Sequence, residues 1–243
     1  MDNLFYKVDL HVHTPASKCY VGDKSEDGYW KILESAAKNN IKVIAITDHN
    51  TLSGYESMMK LKEETQKEYS IIQKYNISSE EKKEIEDKVE LFNKVCIILG
   101  VEITLNPGVH IIVLCEESEK SDLDELLDEV GFSSDKRGAD EEMLPNMDVK
   151  KFLENPRLHG KIVLAPHVDS DKGIWKVLSG QYRAEIFKST QIDAIACNSA
   201  SQLTKIQGLV CSQPEYIRKK PFAYINASDA HEQSKVGAKH SFF

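Results

Sequence analysis

With 243 residues, 41% of them apolar and 29% charged, the chain has the composition of a globular protein with an ample core, and its length suits a single large α/β domain. A net charge of −8 argues against an extended nucleic-acid-binding surface, while leaving room for a local cationic pocket or for metals that reverse the sign at a site. No apolar run reaches the length of a membrane span, and the first residues lack the basic-then-apolar pattern of a secretion signal; with five scattered cysteines and no CxxC pair, the expectation is a reducing cytoplasm and no membrane partner.

Seven short runs rich in Ile and Val read as strands: Phe5–Leu10, Ile41–Thr47, Val95–Val101, Val109–Cys115, Lys161–Ala165, Ile192–Cys197 and Phe222–Asn226. Runs this short and this apolar suit strands buried on both faces. Helical patterns fall between several of them, at Gly28–Asn39, Thr51–Tyr69, Ser121–Glu129 and Asp148–Glu154. The alternation predicts a mostly parallel α/β sheet or barrel. Residues 51–94 exceed one crossover helix. Tyr75-Asn76 reads as a break, and Ser78 to Glu81 as a capping box that opens a second helix. The stretch is therefore a helical hairpin inserted at about 56–94, either a solvated excursion or a docking arm. Residues 131–147 are polar and read as a long loop, and Cys96, Cys115 and Cys197, inside apolar runs, read as buried free thiols. No linker is evident, so 1–243 is read as one domain. The closing Phe242-Phe243 would expose apolar surface, which suggests the front part of a longer chain, or a truncated one, with a full-length chain that covers this end by an oligomer contact as the alternative.

The ligand-type side chains are not scattered at random over this layout. His11 and His13 follow the first strand at i and i+2, positions that share one face of an extended chain. Asp48 and His49 follow the second strand, Glu102 the third, His167 the fifth, Asn198 the sixth, and Asp229 and His231 the seventh; His110 lies in the fourth. Six of the eight histidines are in this set, with His159 and His240 outside it. In parallel α/β barrels such strand ends form the active face, and clustered imidazoles with carboxylates select a transition metal.

In order, Asp9-Leu-His11-Val-His13-Thr14, Ile46-Thr-Asp48-His49-Asn50, Gly100-Val-Glu102, Pro166-His167 and Ser228-Asp229-Ala-His231 resemble the PHP (polymerase and histidinol phosphatase) superfamily over almost the whole chain. The opening HVHTPASK is also similar to PHP domains fused ahead of ATP-binding modules. The resemblance implies a distorted seven-stranded (β/α)7 barrel with a helical insertion between strands two and three. It implies two or three divalent metals, of the Zn, Mn or Fe type. His11, His13, Glu102 and Asp229 would hold the first, with Glu102 bridging to a second shared with His110 and His167, and His49 and His231 would belong to a third. Lys18 stands near the position where many members carry an acidic or histidine ligand to the third metal, and a protonated lysine has no lone pair to give. Asp23 or Cys19 are the residues that would replace it if the loop folds back; a binuclear site is the alternative.

The expected activity is phosphoester hydrolysis by a metal-activated hydroxide on a phosphorylated small molecule or a nucleic acid, with Asp229, His49 or His231 relaying protons. Lys18, Arg183 and Asn198 are the candidate substrate contacts, with Arg137 and Lys172 as further cations. The nuclease form of this reading would use aromatic walls, for which Tyr20, Tyr29, Trp30, Trp175 and Tyr182 are candidates. Two other classes fit the same ligands: a non-catalytic, metal-stabilised module regulating a fused ATPase or DNA-processing partner, and a metal-dependent amidohydrolase, since metal-activated water does not fix the electrophile.

Overall fold

The computed structural model describes residues 5–75, 78–138 and 145–243. In chain order its elements are β1 (Lys7–Val12), α1 (Glu26–Lys38), β2 (Ile41–Ile46), α2 (Ser53–Ile72), α3 (Ser79–Lys94), β3 (Cys96–Leu105), β4 (Val109–Cys115), α4 (Lys120–Val130), α5 (Val149–Leu153), β5 (Ile162–Ala165), α6 (Ile174–Val177), α7 (Gly180–Lys188), β6 (Ala194–Ala196), α8 (Ala200–Ser212), β7 (Ala223–Ile225) and β8 (Ser241–Phe242). All seven expected strands are present, and β8 is an eighth among the described residues. The helices α6, α7 and α8 were not expected. The chain packs as two compact units, one of Met1–Asp48, Leu52–Ile98 and Ala227–Phe243, the other of His49–Thr51 and Leu99–Asn226.

In the first unit β1 lies between β2 and β8. It runs parallel to β2, with Val8 opposite Val43 and Asp9 opposite Ile44. It runs antiparallel to β8, with Val8 opposite Ser241. Helix α1 buries Tyr29, Ile32, Leu33 and Ala36, a stripe at helical spacing, and packs on β2. The inserted hairpin forms as expected: Ser78 accepts from the Glu81 amide at 3.2 Å, and Glu81 accepts from the Ser78 amide at 3.3 Å. Of the expected break, Asn76 lies outside the described residues. Helix α2 buries Tyr55, Met58 and Leu61. Helix α3 buries Phe92 alone, whose ring meets Trp30 of α1 edge-on at 5.4 Å between centroids. The Lys88 ammonium lies over the same Trp30 ring, 5.4 Å from its centroid. The remainder of α3 is solvated and carries i,i+4 pairs such as Glu84–Lys88 and Glu90–Lys94, both 2.8 Å.

The second unit corrects the expectation of a mostly parallel arrangement. β3 and β4 form an antiparallel hairpin, with Glu102 opposite Ile112 and Thr104 opposite His110, and β5 joins β4 antiparallel. Only β5, β6 and β7 run parallel. The turn Asn106-Pro107-Gly108 is the physical reason: it is too short for a crossover. Gly108, at φ 104°, takes the left-handed conformation that closes the hairpin, donating its amide to Leu105 O at 2.6 Å. The doubly buried strands of this hairpin look the same in sequence whichever way they run, which is why periodicity did not show their direction.

Two smaller expectations also change. Cys96 is exposed, and Cys115 and Cys197 are half-buried, because each lies at or beyond the end of its strand rather than in its buried middle; none of the five cysteines forms a disulfide. In the expected loop 131–147, Ser134–Lys136 form a 3-10 turn, and 139–144 lie outside the described residues.

Because Phe92 is the one buried side chain of α3, Phe92→Ala should release this helix before the rest of the chain. Amide exchange across Ser79–Lys94 should rise at least tenfold, while β1 and β2 amides change much less. Equal acceleration everywhere would show that α3 belongs to the global folding unit.

Candidate metal centre

Five of the expected ligands or their neighbours belong to the first unit. His11 and His13, two residues apart at the end of β1, place their Nε2 atoms 3.0 Å from each other. Asp229 Oδ1 lies 3.3 Å from His11 Nε2 and 3.4 Å from His13 Nε2. Three lone-pair donors thus converge from the two ends of the sequence. What brings the ends together is backbone pairing: His13 N donates to Ala230 O at 3.0 Å, and Ala230 N to His11 O at 3.3 Å. His231 stacks on His13 with ring centroids 4.2 Å apart. Its Nδ1 lies 2.9 Å from the Asp229 carbonyl oxygen, which can only accept, so Nδ1 carries the proton and Nε2 the lone pair. His11 and His13 are buried, whereas the Asp229 and His231 side chains are 35% and 30% exposed.

Two carboxylates hold this half in shape without being placed as ligands. Buried Asp9 accepts from the Ser228 amide at 2.9 Å and the Gly237 amide at 2.8 Å, which fixes the C-terminal segment to β1. Burial pushes its pKa up, opposed by those hydrogen bonds. Asp48, expected among the metal ligands, is engaged elsewhere. One oxygen accepts from the Thr14 amide at 2.8 Å and from Ser17 Oγ at 2.6 Å, and the other accepts from Thr14 Oγ1 at 2.7 Å. Ser17 Oγ also lies 3.2 Å from His13 Nδ1, so Asp48 acts on the imidazole through a hydroxyl. Gly54, at the start of α2, makes room for this arrangement; a β-carbon there would collide with Asp48 Oδ2 and Thr14 Oγ1.

The second unit carries the other four. Glu102 is fully buried on β3, and its carboxylate meets His110 Nδ1 and His167 Nε2 at 3.0 Å each and His49 Nδ1 at 3.3 Å. The hairpin register explains part of this: His110 sits opposite Thr104, two residues from Glu102, so both point to one face. Ser170 Oγ holds His167 Nδ1 at 2.9 Å. Asn50 fixes the His49 segment to β3, its Oδ1 accepting from the Thr104 amide at 2.9 Å while its own amide donates to Glu102 O at 2.9 Å. Burial pushes the His110 pKa down, opposed by Glu102, which favours the neutral imidazole a metal requires. His49, Glu102 and His110 each offer a donor atom within 4.8 Å of the others. A buried carboxylate among imidazoles in the second unit, and two buried imidazoles facing a partly exposed carboxylate in the first, are donor sets whose chemistry fits divalent cations.

The substrate contacts expected from sequence are distributed differently. Lys18 is exposed on the loop after β1, and Asn198 is exposed with its amide held by Asp169 at 2.9 Å. Arg183 is occupied by structure: its guanidinium covers Trp175 at 4.2 Å and donates to Tyr216 Oη and Trp175 O, both at 3.1 Å. Arg137 is likewise taken, by Asp124 O at 2.7 Å and Asp128 at 3.0 Å. Tyr20, Tyr29 and Trp175 are buried packing residues, not open stacking walls. Asp23, one possible replacement ligand, pairs with Lys31 at 2.5 Å and with Ser25. Sequence reasoning gave no role to Asp9, Ser17, Asn50 or Ser170. Asp9, Asn50 and Ser17 were visible within the motifs quoted; Ser170 carries no signal of its own.

Asp48→Asn should therefore weaken metal binding about 10- to 100-fold and destabilise the chain by roughly 1–3 kcal/mol, because an amide cannot accept from all three donors. Calorimetric metal titration and thermal melting check this; unchanged affinity would remove Asp48 from the support of His13.

Several solved structures share the fold. The lesion-specific endonuclease EndoQ of Pyrococcus furiosus superposes with a TM-score of 0.65 at 16% identity, over 96% of this chain and 51% of that one. PsfC of Pseudomonas syringae gives 0.56 at 16% identity, over 98% and 82%. A candidate metal-dependent phosphoesterase of Bifidobacterium adolescentis gives 0.53 at 13% identity, over 96% and 92%. The chain thus spans about half the length of the endonuclease it matches. None of the curated proteins matches it by sequence. The likeness shows the α/β barrel class expected from the sequence. No helix among the described residues is long and apolar enough to cross a membrane. The PHP domain family matches residues 9–199, and with the ligand motifs of both units in place, the chain belongs to that family.

Proposed function

We propose that this chain is a metal-dependent phosphoesterase acting on a phosphomonoester or phosphodiester, a nucleic-acid strand included. Family membership and the His/Glu/Asp set support a metal-dependent hydrolase. The observation that carries the reading is the pairing of buried His11 and His13 with Asp229, a carboxylate that both touches them and reaches solvent. Bound divalent cations, two or three of the Zn, Mn or Fe type, would supply Lewis-acid activation of water and neutralisation of phosphoryl charge. His11, His13 and Asp229, and Glu102 with His49, His110 and His167, are the residues that would hold them.

The protein's own contribution follows from exposure. A group that passes a proton to bulk water must reach it. Asp229 and His231 do so, whereas His49 is buried, so the proton-handling role falls to the Asp229 carboxylate with His231 beside it. Lys18, exposed on the loop after β1 that also carries Ser17 beside His13, is the cation assigned to a substrate phosphate. Support for phosphate over an amide comes from the fold neighbours, an endonuclease and a candidate phosphoesterase. The expected setting remains the cytoplasm.

Assays of the metal-loaded chain on aryl phosphomonoesters, aryl phosphodiesters and oligonucleotides test this. Hydrolysis should vanish on chelation and return with metal. Asp229→Asn should lower kcat by about 10²- to 10⁴-fold. Lys18→Ala should raise KM about two- to fivefold with kcat little changed, the size expected of one exposed ionic contact. Stoichiometric metal binding with no turnover of any phosphoester would overturn the proposal in favour of the non-catalytic or amidohydrolase reading.

A further inference from the structure

We infer that Cys19 is a thiolate metal ligand acting with His231, so that one metal position of this chain selects a thiophilic ion such as zinc. The inference deepens the metal-dependent reading above and rests on it for the presence of metal. Its basis is where the β1 loop places one side chain.

The loop after β1 is held at both ends. At its start, Ser17 N donates to Thr14 O at 3.0 Å, and Ser17 Oγ is held by Asp48 at 2.6 Å and lies 3.2 Å from His13. Tyr20 N then donates to Ser17 O at 3.1 Å, which curls the chain back, and Tyr20 is buried with its hydroxyl 3.2 Å from Gln233. At its end, Val21 N donates to His231 O at 2.8 Å. Cys19 lies between these anchors, so its position relative to His13 and His231 is set by the fold and not by a mobile tip. Its Sγ and one ring nitrogen from each of His13 and His231 all lie within 4.8 Å of one another. Lys18, next in the chain, points its backbone carbonyl at Lys24 Nζ, 3.1 Å away, and is exposed. The acid that would serve instead, Asp23, is committed to Lys31 and Ser25.

The chemistry of the donor set then decides the metal. Sulfur with imidazole nitrogen is the set that favours zinc, whereas manganese and magnesium prefer oxygen. Binding would release the thiol proton to solvent and form one metal–sulfur bond, with no redox change. A carboxylate at this position would leave the site open to manganese; a thiolate biases it away.

Cobalt is the probe, because a Co(II)–thiolate bond gives an intense near-ultraviolet charge-transfer band that imidazole and carboxylate ligands do not. The reduced, chelator-treated full chain is titrated with Co(II), with bound metal counted by elemental analysis. The band should appear in the wild-type chain. It should persist when Cys96, Cys115, Cys197 and Cys211 are all replaced by serine, and disappear in Cys19→Ser. Cys19→Asp should lower the zinc-over-manganese preference at least tenfold. In the wild-type chain, without any substitution, zinc should slow alkylation of Cys19 at least tenfold relative to the other four thiols. Stoichiometric cobalt binding without the band, or a band that survives Cys19→Ser, or unprotected Cys19 would overturn the inference while leaving the phosphoesterase proposal standing. A thiolate band in a chain that hydrolyses no phosphoester would do the reverse. Failure to bind any metal would end both.

Discussion

A buried carboxylate must have a cation or several hydrogen-bond donors, and this requirement organises the molecule. Glu102 is fully inside, and the groups that meet it are three imidazoles at 3.0 to 3.3 Å. Burial pushes the pKa of one of them, His110, down and so favours its neutral form. Buried charge is costly, so a carboxylate set among imidazoles is a place where a cation is favoured. A divalent cation suits both, since it needs the carboxylate charged and the imidazoles neutral. The hairpin β3–β4, the Asn50 clamp and the Ser170 contact are all arrangements that keep those donors aimed at Glu102.

The same requirement separates the aspartates of the first unit by role. Asp9 and Asp48 are buried and are satisfied by amides and hydroxyls, five good contacts between them from Ser228, Gly237, Thr14 and Ser17. Their charge goes into holding chain segments together. Asp229 instead faces His11 and His13 and keeps a third of its surface in solvent. Backbone conformation marks the same places. Asn50, His167 and Asp229 all have positive φ, at 54°, 29° and 53°, which side-chain-bearing residues adopt at a cost of about 1–3 kcal/mol. Each of these three is a ligand candidate or adjoins one, whereas the fourth such residue among those described, Asn40 at φ 56°, lies in the turn between α1 and β2.

The candidate ligands were legible in the sequence because each lies in or at the end of a short apolar run, and because i, i+2 spacing on a strand leaves little freedom in where two histidines point. The capping box at Ser78 was legible for a similarly local reason. What was not legible needed tertiary information. Val95–Val101 and Val109–Cys115 are apolar on both faces, so their antiparallel pairing left no trace in periodicity, although Asn106-Pro107-Gly108 between them is a hairpin signal. Helices α7 and α8 have weakly amphipathic, polar sequences with few buried residues, and β8 is two residues long. Asp48 looked like a ligand because it precedes His49, and only the positions of Thr14 and Ser17 show its oxygens taken. Arg183 looked like a phosphate contact until Trp175 and Tyr216 were seen to occupy it. Cys19 was one of two possible replacements, and the pinning of its loop by Ser17 and Val21 separates it from Asp23.

The central claim is that buried Glu102 serves to hold metal. The most direct measurement is the thermal melting temperature of the wild-type chain and of Glu102→Gln, each with and without saturating zinc or manganese. Metal should raise the melting temperature of the wild-type chain substantially, since a cation that binds only the folded state stabilises it by mass action. In Glu102→Gln that gain should shrink to a small fraction, while the metal-free variant melts no lower than the metal-free wild type, because a neutral amide at this buried position carries no charge to desolvate. An equal metal-induced shift in both proteins, or a metal-free variant much less stable than the metal-free wild type, would contradict the account.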